Sequence, residues 1–179
     1  NKNINFKYKD LTLNKKINIL KYMLKFNIYK KLEKKINNCL KLEYYIKEKA
    51  GFNADILEFS INNNILEMLQ DIYSYKPEII GFACYIWNIE MTRQLISLIK
   101  SVMPEVKIIF GGPEVSYEPE SLMMIEKNID YIISGEGEKP FLSLLTKIYN
   151  NDKLSLEPGI VFIDDAKELL TEIEFTKLQ

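Results

Sequence analysis

The chain has 179 residues, enough for one domain with a substantial core, and its 47% apolar and 27% charged content is typical of a globular protein. It contains no histidine and only two cysteines, which excludes a disulfide framework, a cysteine-built metal site and histidine catalysis. No apolar run approaches the roughly 18 residues of a membrane span, and no signal-peptide pattern opens the sequence, so we expect a cytoplasmic protein.

The net charge of −1 hides a division between residues 50 and 51. Residues 1–50 hold 14 Lys, no Arg and 4 acidic residues, a net of +10, whereas residues 51–179 carry −11 and every Gly and Pro. Nucleic-acid binding is the weaker interpretation, because such proteins use Arg for bidentate contacts. We therefore predict that residues 1–39 are a lysine-rich accessory segment with a helical pattern, and that the packed sheet begins near residues 40–54.

In chain order, residues 16–20 are a poor strand candidate, and apolar residues then recur at helical spacing from Leu20 to Lys49. Four apolar runs predict strands at 54–59, 79–85, 107–110 and 131–134. Helices are predicted after them, with starts at Asn62 to Asn64, at Asn88, at Ser116 or Glu118, and near Lys139. After Pro158-Gly159, two short apolar runs predict an antiparallel hairpin over residues 158–179. The strand–helix alternation indicates a parallel sheet, whose carboxyl edge is the usual ligand site.

Three strand-to-helix loops carry a resemblance to a known family: Gly81-Phe82-Ala83-Cys84-Tyr85-Ile86-Trp87-Asn88, Gly111-Gly112-Pro113-Glu114-Val115-Ser116 and Gly135-Glu136-Gly137-Glu138. In order and spacing they resemble the cobalamin (vitamin B12)-binding domain of B12-dependent radical S-adenosylmethionine (SAM) enzymes. The resemblance runs from about residue 40 to the end. It implies an α/β, flavodoxin-like (Rossmann-type) parallel sheet with flanking helices and a C-terminal β-hairpin, with residues 40–157 as the cobalamin-binding domain.

The resemblance also implies where the cofactor lies, with the corrin over the carboxyl edge and its nucleotide tail beside the sheet. The cofactor-binding residues it implies are Ala83, Cys84, Tyr85, Trp87, Asn88, Gly111, Gly112, Pro113, Glu114, Val115, Ser116, Gly135, Glu136 and Gly137. Gly111 and Gly112 would admit the tail, so we expect Gly112→Val to impair binding far more than stability. Glutamates such as Glu136 and Glu138 at a helix start usually match the helix dipole, so no catalytic residue is predicted.

Two departures from the family pattern shape the functional expectation. Without histidine, the chain has no lower axial ligand of the usual kind, so cobalamin is expected base-off with no protein ligand and no other metal site. The family's first strand, expected between strands 54–59 and 79–85, has only residues 16–20 as a poor counterpart.

The number of cysteines also indicates which part of an enzyme this chain represents. A [4Fe–4S] cluster that cleaves SAM needs three closely spaced cysteines, and this chain has two, 45 positions apart. The resemblance therefore implies the cofactor module of a longer radical SAM enzyme, such as a methyltransferase. The cluster and SAM would belong to a catalytic domain that is missing from this sequence.

Two alternatives share the same architecture. A flavodoxin-like module could bind another cofactor, but the strand ends lack the acidic cluster of a receiver, and no phosphate loop for flavin mononucleotide is visible after a first strand. A non-catalytic interaction domain would bind no cofactor. Reconstitution separates the three interpretations by colour, because a cobalamin protein is pink to amber, a flavin protein yellow and an interaction domain colourless.

Overall fold

The structure, a computed structural model, describes residues 19–25, 52, 54–155, 157–163 and 169–171. Its strands are β1 (Ile19–Lys25), β2 (Ala54–Ser60), β3 (Ile79–Ala83), β4 (Lys107–Gly111), β5 (Tyr131–Ile133), β6 (Ile160–Ile163) and β7 (Leu169–Thr171). They form one sheet in the order β2-β1-β3-β4-β5-β6-β7, with parallel pairing from β2 to β5 and antiparallel pairing thereafter. The parallel part has the 2-1-3-4-5 order of flavodoxin-like folds, as predicted.

Helices cover both faces of the sheet. They are α1 (Ile65–Tyr75), α2 (Ile89–Val102), α3 (Pro119–Ile125) and α4 (Glu138–Asn150), and a 3-10 turn spans Pro113–Val115. The first three helices bury one face through a core that contains Ile80, Phe82 and Phe110. Helix α4 buries the other face, where Phe141 and Leu145 join Ile109. None of the helices in the described ranges is long and apolar enough to cross a membrane.

Strand β1 corrects the prediction for the N-terminal segment. Residues 19–25 are neither helical nor accessory: they lie inside the sheet, where Lys21 stands opposite both Ile56 of β2 and Gly81 of β3. A strand with a partner on each side forms hydrogen bonds along both edges, and this pairing overrides a weak local preference. The other predictions for residues 1–18 and 26–49 lie outside the described residues, and the division at 40–157 stays a prediction.

The remaining elements lie close to the predicted positions. The Asn64 side chain caps α1 by accepting a hydrogen bond from the Leu66 N–H at 2.8 Å. Lys76, in the left-handed conformation, ends that helix before Pro77. Strand β3 ends at Ala83, two residues earlier than predicted, and the C-terminal hairpin is present as the antiparallel pair β6–β7.

Hydrogen exchange tests the position of β1. We expect the amides of residues 19–22 to exchange as slowly as those of β3, because this part of β1 is paired on both sides, and the amides of β2 at the edge of the described sheet to exchange faster. Exchange monitored by NMR or mass spectrometry measures this. Exchange of residues 19–22 at the rate of an unfolded peptide would contradict the central position of β1.

Candidate cofactor site

A cleft of about 900 Å³ opens at the carboxyl ends of β3, β4 and β5. Its floor is formed by strand residues and by the first turns of α4, and its mouth by the loops that follow the three strands. The floor comprises Gly81, Phe82, Ala83, Ile109, Phe110, Gly111, Ile133 and Phe141. The mouth comprises Tyr85, Gly112, Pro113, Ser116, Tyr117, Gly135, Glu136, Gly137 and Glu138.

The floor contains a trough of small residues on the α4-facing side of β3 and β4. Side chains alternate between the faces of a strand, so Gly81 and Ala83 share the face opposite to Phe82. In the parallel register Ala83 stands beside Gly111. These three small residues, Gly81, Ala83 and Gly111, are called the trough below. At Ala83 and Gly111 the sheet surface is partly open, whereas at Gly81 the ring of Phe141 lies over it.

The fold itself does not require glycine at Gly81 or Gly111. Neither has a positive φ. A Cβ atom at Gly111 would lie 3.8 Å from the Cβ of Ile133, and one at Gly81 would lie 3.5 Å from Cζ of Phe141, both ordinary contacts. Glycine inside a strand costs about 0.5–1 kcal/mol relative to alanine, and it often marks a place where a ligand approaches the backbone closely. The trough therefore has the character of a binding surface.

Gly112 differs from Gly81 and Gly111, because the fold requires glycine at this position. Its φ is +113°, and a Cβ atom there would lie 2.6 Å from the carbonyl oxygen of Cys84. The same loop is held by the Cys84 N–H, which donates to the Gly111 carbonyl at 2.7 Å. The expectation that Gly112→Val impairs binding far more than stability is therefore wrong about stability. Any side chain at this position strains the backbone and meets Cys84.

Cys84 lies in the core and not in the cleft. Its side chain is fully buried in the core under α1, α2 and α3, and its Sγ lies 3.7 Å from the Phe82 carbonyl oxygen. Burial raises the pKa of the Cys84 thiol well above its usual range; the backbone hydrogen bond from Gly111 opposes this shift and the charge of Glu114 adds to it. The structure thus assigns Cys84 a packing role, because a buried, protonated thiol is a small apolar side chain.

Asn88 ties the loop after β3 together. Its Oδ1 accepts a hydrogen bond from the Tyr85 N–H at 2.7 Å, and its Nδ2 donates to the Ala83 carbonyl at 2.8 Å. Asn88 is 1% exposed and does not cap α2 through its side chain, although α2 begins directly after it. Asn88 does not line the cleft but shapes the loop that carries Tyr85, and its contact with a cofactor stays a prediction.

Ser116 joins the other two loops. Its hydroxyl donates to the Gly112 carbonyl at 2.8 Å and accepts from the Gly135 N–H at 3.2 Å. The Ser134 hydroxyl donates in turn to the Ser116 carbonyl at 3.3 Å. These contacts set the spacing of the loops after β4 and β5, between which the mouth of the cleft opens.

Aromatic and apolar side chains stand at the mouth. The rings of Tyr85 and Trp87 are stacked, with centroids 4.7 Å apart and planes 2° from parallel. Tyr85 lines the cleft, whereas Trp87 lies behind it and is 39% exposed. Ile86 and Tyr117 are also largely exposed. The predicted flat apolar surface is therefore a stacked pair that presents one ring, that of Tyr85, to the cleft.

The structure gathers most of the predicted residues around one cleft: Ala83, Tyr85, Gly111, Gly112, Pro113, Ser116, Gly135, Glu136 and Gly137. It leaves out Cys84, Trp87, Asn88, Glu114 and Val115, of which Cys84, Asn88 and Val115 are buried. Sequence reasoning missed Gly81, Ile109, Tyr117, Ile133, Glu138 and Phe141. The period-2 alternation of the strands would have placed Gly81 and Ile109 on one face with Gly111, whereas the motifs that carry the resemblance lie mainly in the loops. Contact with a cofactor stays a prediction for all of them.

A matched pair of glycine variants tests the distinction between the trough and the loop. We expect Gly111→Ala to raise the free energy of unfolding by up to about 1 kcal/mol, because alanine is favoured over glycine in a strand. Gly112→Ala should lower it by about 1–3 kcal/mol, because φ is positive and the backbone of Cys84 is in contact. Urea denaturation measures both, and equal effects of the two substitutions would contradict the assignment.

The burial of Cys84 predicts slow thiol chemistry. In a Cys39→Ser background, we expect a thiol reagent to modify Cys84 only after unfolding. Because its pKa is raised in the folded state, its stabilising contribution is complete below the unfolded thiol pKa of about 8.5 and is lost as the pH rises above that value. Urea denaturation from pH 7 to 10 should show this decline, and Cys84→Ala should reduce it. Rapid labelling of the native protein would contradict this prediction.

Residues 44–145 match the family of B12 binding domains. The cobalamin-dependent radical SAM methyltransferase TokK of Streptomyces tokunonensis is 29% identical over 86 residues, which are 48% of this chain and 13% of TokK. The 2-(S-pantetheinyl)-carbapenam-3-carboxylate methyltransferase of Streptantibioticus cattleyicolor is 27% identical over 85 residues, 47% of this chain and 12% of that protein. The chain thus spans only about an eighth of the length of these relatives.

Solved structures share the fold. The cobalamin-dependent SAM radical enzyme OxsB, with aqua-cobalamin and SAM bound, superposes with a TM-score of 0.69 at 17% identity, covering 88% of this chain and 22% of OxsB. The radical SAM methyltransferase TsrM from Kitasatospora setae gives 0.69 at 17% identity, covering 87% of this chain and 30% of TsrM. The match over residues 44–145 includes more than half of the chain, and the protein therefore belongs to the B12-binding domain family.

Proposed function

We propose that this chain holds cobalamin in the cleft and is the cofactor module of a longer B12-dependent radical SAM enzyme, of the methyltransferase kind. The proposal rests on the trough formed by Gly81, Ala83 and Gly111. It runs down the sheet from the mouth of a cleft of about 900 Å³, inside the part of the chain that matches the family. The fold does not need glycine at two of these positions, so a ligand close to the backbone is the better reason for them.

The residues of the cleft fit the two halves of this cofactor. The apolar lining beside Ala83 and Gly111 would suit a flat nucleotide base, and the polar loops at the mouth would suit a macrocycle with amides at its rim. The Gly135 N–H and the Gly112 carbonyl are already bonded to the Ser116 hydroxyl, so contacts to cofactor amides and phosphate would come from the other backbone groups of these glycine-rich loops. Tyr85 offers the mouth an aromatic face that Trp87 supports from behind.

Each part of the chain has a separate task in this proposal. Bound cobalamin would supply a cobalt centre able to carry a methyl group. The trough would admit the nucleotide tail, and the Ser116 hydrogen bonds would hold two loops at a fixed spacing around it. Asn88 would keep the Tyr85 loop in place. No side chain in this account donates or removes a proton, and Glu136 and Glu138 remain residues at a helix start.

The proposed coordination of cobalt rests on the composition. The chain has no histidine, so it offers no imidazole to replace the cofactor's own base below cobalt. If the tail enters the trough, that base is carried away from the metal. We therefore propose that cobalamin is bound base-off, with water or no ligand on the lower face.

The radical chemistry belongs to another part of the enzyme in this proposal. The relatives are about eight times longer than the region matched here, and two cysteines do not provide the ligands of a SAM-cleaving [4Fe–4S] cluster. We place that cluster and SAM in a catalytic domain that the C-terminal hairpin leads toward. A cytoplasmic location is proposed with it and rests on composition alone.

Reconstitution with hydroxocobalamin tests the function. After gel filtration, we expect the protein to retain the cofactor with a base-off visible spectrum, and the Co(II) form to show an electron paramagnetic resonance signal without nitrogen superhyperfine splitting. The double variant Gly81→Ala/Gly111→Ala should bind about tenfold more weakly, because two methyl groups would occupy space that the nucleotide tail needs. Glu138→Gln, which keeps the volume of the side chain, should change little.

Three outcomes would count against the proposal. Failure of the full chain to retain any cobalamin would contradict the function and would favour the interaction-domain interpretation. Retention of a yellow flavin in place of a corrinoid would favour the alternative cofactor. Nitrogen splitting in the Co(II) spectrum would contradict the base-off coordination while leaving the binding function in place.

A further inference from the structure

We propose that an exposed groove on α1 and α2 is a docking surface, and that the lysine-rich start of this chain, residues 1–18, occupies it. The cofactor function uses the carboxyl edge of the sheet and assigns no task to this groove or to that segment. The inference therefore goes beyond the proposed function, because it concerns a protein contact on the helical face of the sheet.

An apolar stripe on the outer side of α1 continues onto the end of α2. It forms a groove of about 500 Å³ whose described lining is Leu66, Leu69, Gln70, Tyr73 and Val102. Leu66, Tyr73 and Val102 are 61%, 54% and 49% exposed. Single exposed apolar side chains are normal on a protein surface, whereas a contiguous group in a concavity marks an interaction site. These five residues are called the α1 groove below.

The stripe lies beside the buried face of α1 and is separate from it. Positions 66, 69, 70 and 73 follow the spacing i, i+3, i+4 and i+7, so they share one side of the helix. Met68 and Ile72 form the core side and are fully buried. Leu69 belongs to both, since it also packs against the core. Packing of α1 on the sheet thus accounts for Met68 and Ile72 but not for Leu66 and Tyr73.

One edge of the α1 groove is acidic. Glu67 and Asp71 lie one helical turn apart, directly after two groove residues in sequence, and both are exposed. Neither carboxylate forms an ion pair with another residue in the part of the chain that the structure describes. A second copy packed on this stripe about a two-fold axis would bring the same carboxylates against each other. The edge therefore favours a basic occupant over a second copy.

The start of the chain has the complementary chemistry. Residues 1–18 contain five Lys and a single acidic residue, Asp10. Their sequence also alternates apolar and polar residues, with Ile4, Phe6 and Tyr8 as the apolar members. A segment that offers both apolar and cationic side chains matches an apolar groove with an acidic edge.

The topology brings this segment to the α1 groove. Strand β1 begins at Ile19, whose partner in β3 is Ile79. Helix α1 connects β2 to β3, which lie on the two sides of β1, so the helix passes over β1 and ends four residues before Ile79. The chain therefore enters β1 close to the end of α1 that carries Tyr73.

The length of the segment is also sufficient. Eighteen residues span up to about 60 Å when extended, whereas the stretch of α1 from residue 66 to residue 73 is about 10 Å long. A tether this short keeps its free part at an effective concentration in the millimolar range near the groove. A contact that would be weak between separate molecules is enough for occupancy under these conditions.

Cysteine cross-linking in the full chain tests the contact. In a Cys39→Ser background, Asn5→Cys is combined either with Gln70→Cys in the groove or with Asn150→Cys as the matched control. Asn150 ends α4 on the opposite face of the sheet, next to Tyr149, whose ring contacts Phe52 just before β2. Tether length alone therefore gives the two pairs similar chances.

We expect a short bis-maleimide to link residues 5 and 70 within one chain about tenfold faster than residues 5 and 150. Each rate is divided by the rate at which a monofunctional maleimide labels the same cysteines singly, which removes differences in accessibility. Gln70 and Asn150 are both exposed, so the substitutions leave the core unchanged. Thermal melting checks the fold of every variant.

An exchange of charges tests the acidic edge. Glu67→Lys/Asp71→Lys should slow the link between residues 5 and 70 about three- to tenfold, because the new lysines repel the basic segment. Adding Lys7→Glu/Lys9→Glu should restore the rate. Added salt should slow the link in the groove pair and leave the control pair unchanged.

Three results would overturn the inference. Equal rates for the groove pair and the control pair would show that the segment has no preference for the α1 groove. A link between residues 5 and 70 that forms only between two chains, and disappears on dilution, would make a second copy the occupant. A preferred link within one chain that the exchange of charges does not alter would leave proximity alone as its cause. None of these results depends on cobalamin, so the inference and the proposed function fail separately.

Discussion

The contact between Gly112 and the backbone of Cys84 sets the separation of the two loops that frame the cleft. Gly112 can approach the Cys84 carbonyl only because it has no Cβ, and the Cys84 N–H bonds to Gly111 at the same place. The Glu114 N–H also points at the Cys84 carbonyl, at 3.4 Å. The loop after β4 is thereby joined to the end of β3, and the adjacent faces of β3 and β4 remain parallel and open. Burial of the Cys84 side chain on the opposite face anchors this arrangement to the core.

Glycine therefore has two distinct meanings in this protein. At Gly112 and Gly159 the backbone has positive φ, and a Cβ atom would meet a carbonyl oxygen at 2.6 and 2.9 Å, so the fold accounts for the residue. At Gly81 and Gly111 the backbone is ordinary and there is room for a methyl group. Only the second kind carries information about a ligand. A glycine pair in a loop is weak evidence when the two kinds are not separated, and here they are adjacent in sequence.

The sequence alone predicts the order of the strands and helices from β2 onward and the edge of the sheet at which the cleft opens. Long apolar runs such as 107–110 and helix starts such as Asn64 are local signals, and local signals determine these elements. Strand β1 was missed because its pattern is weak and its stability comes from pairing with strands distant in sequence. The floor was missed for a related reason. Phe141 meets Gly81 only through the packing of α4 on the sheet, which no spacing along the chain reveals.

The C-terminal hairpin explains why α4 can form one wall of the cleft. Strand β6 extends the sheet beyond β5, and its Ile160 and Phe162 join Leu145 and Phe141 in the core beneath α4. The Ser134 N–H donates to the Gly159 carbonyl at 2.9 Å, which fixes the start of β6 against the loop that precedes α4.

Polar contacts hold the same region from the other side of the helix. The Ser143 hydroxyl donates to Glu157 at 2.6 Å, and Lys147 forms an ion pair with the same carboxylate. Helix α4 is thus held from below by apolar contacts and at its side by polar ones. These constraints keep Phe141 over Gly81. Strand β6 contributes no residue to the described lining of the cleft, yet through α4 it determines the depth of the cleft floor.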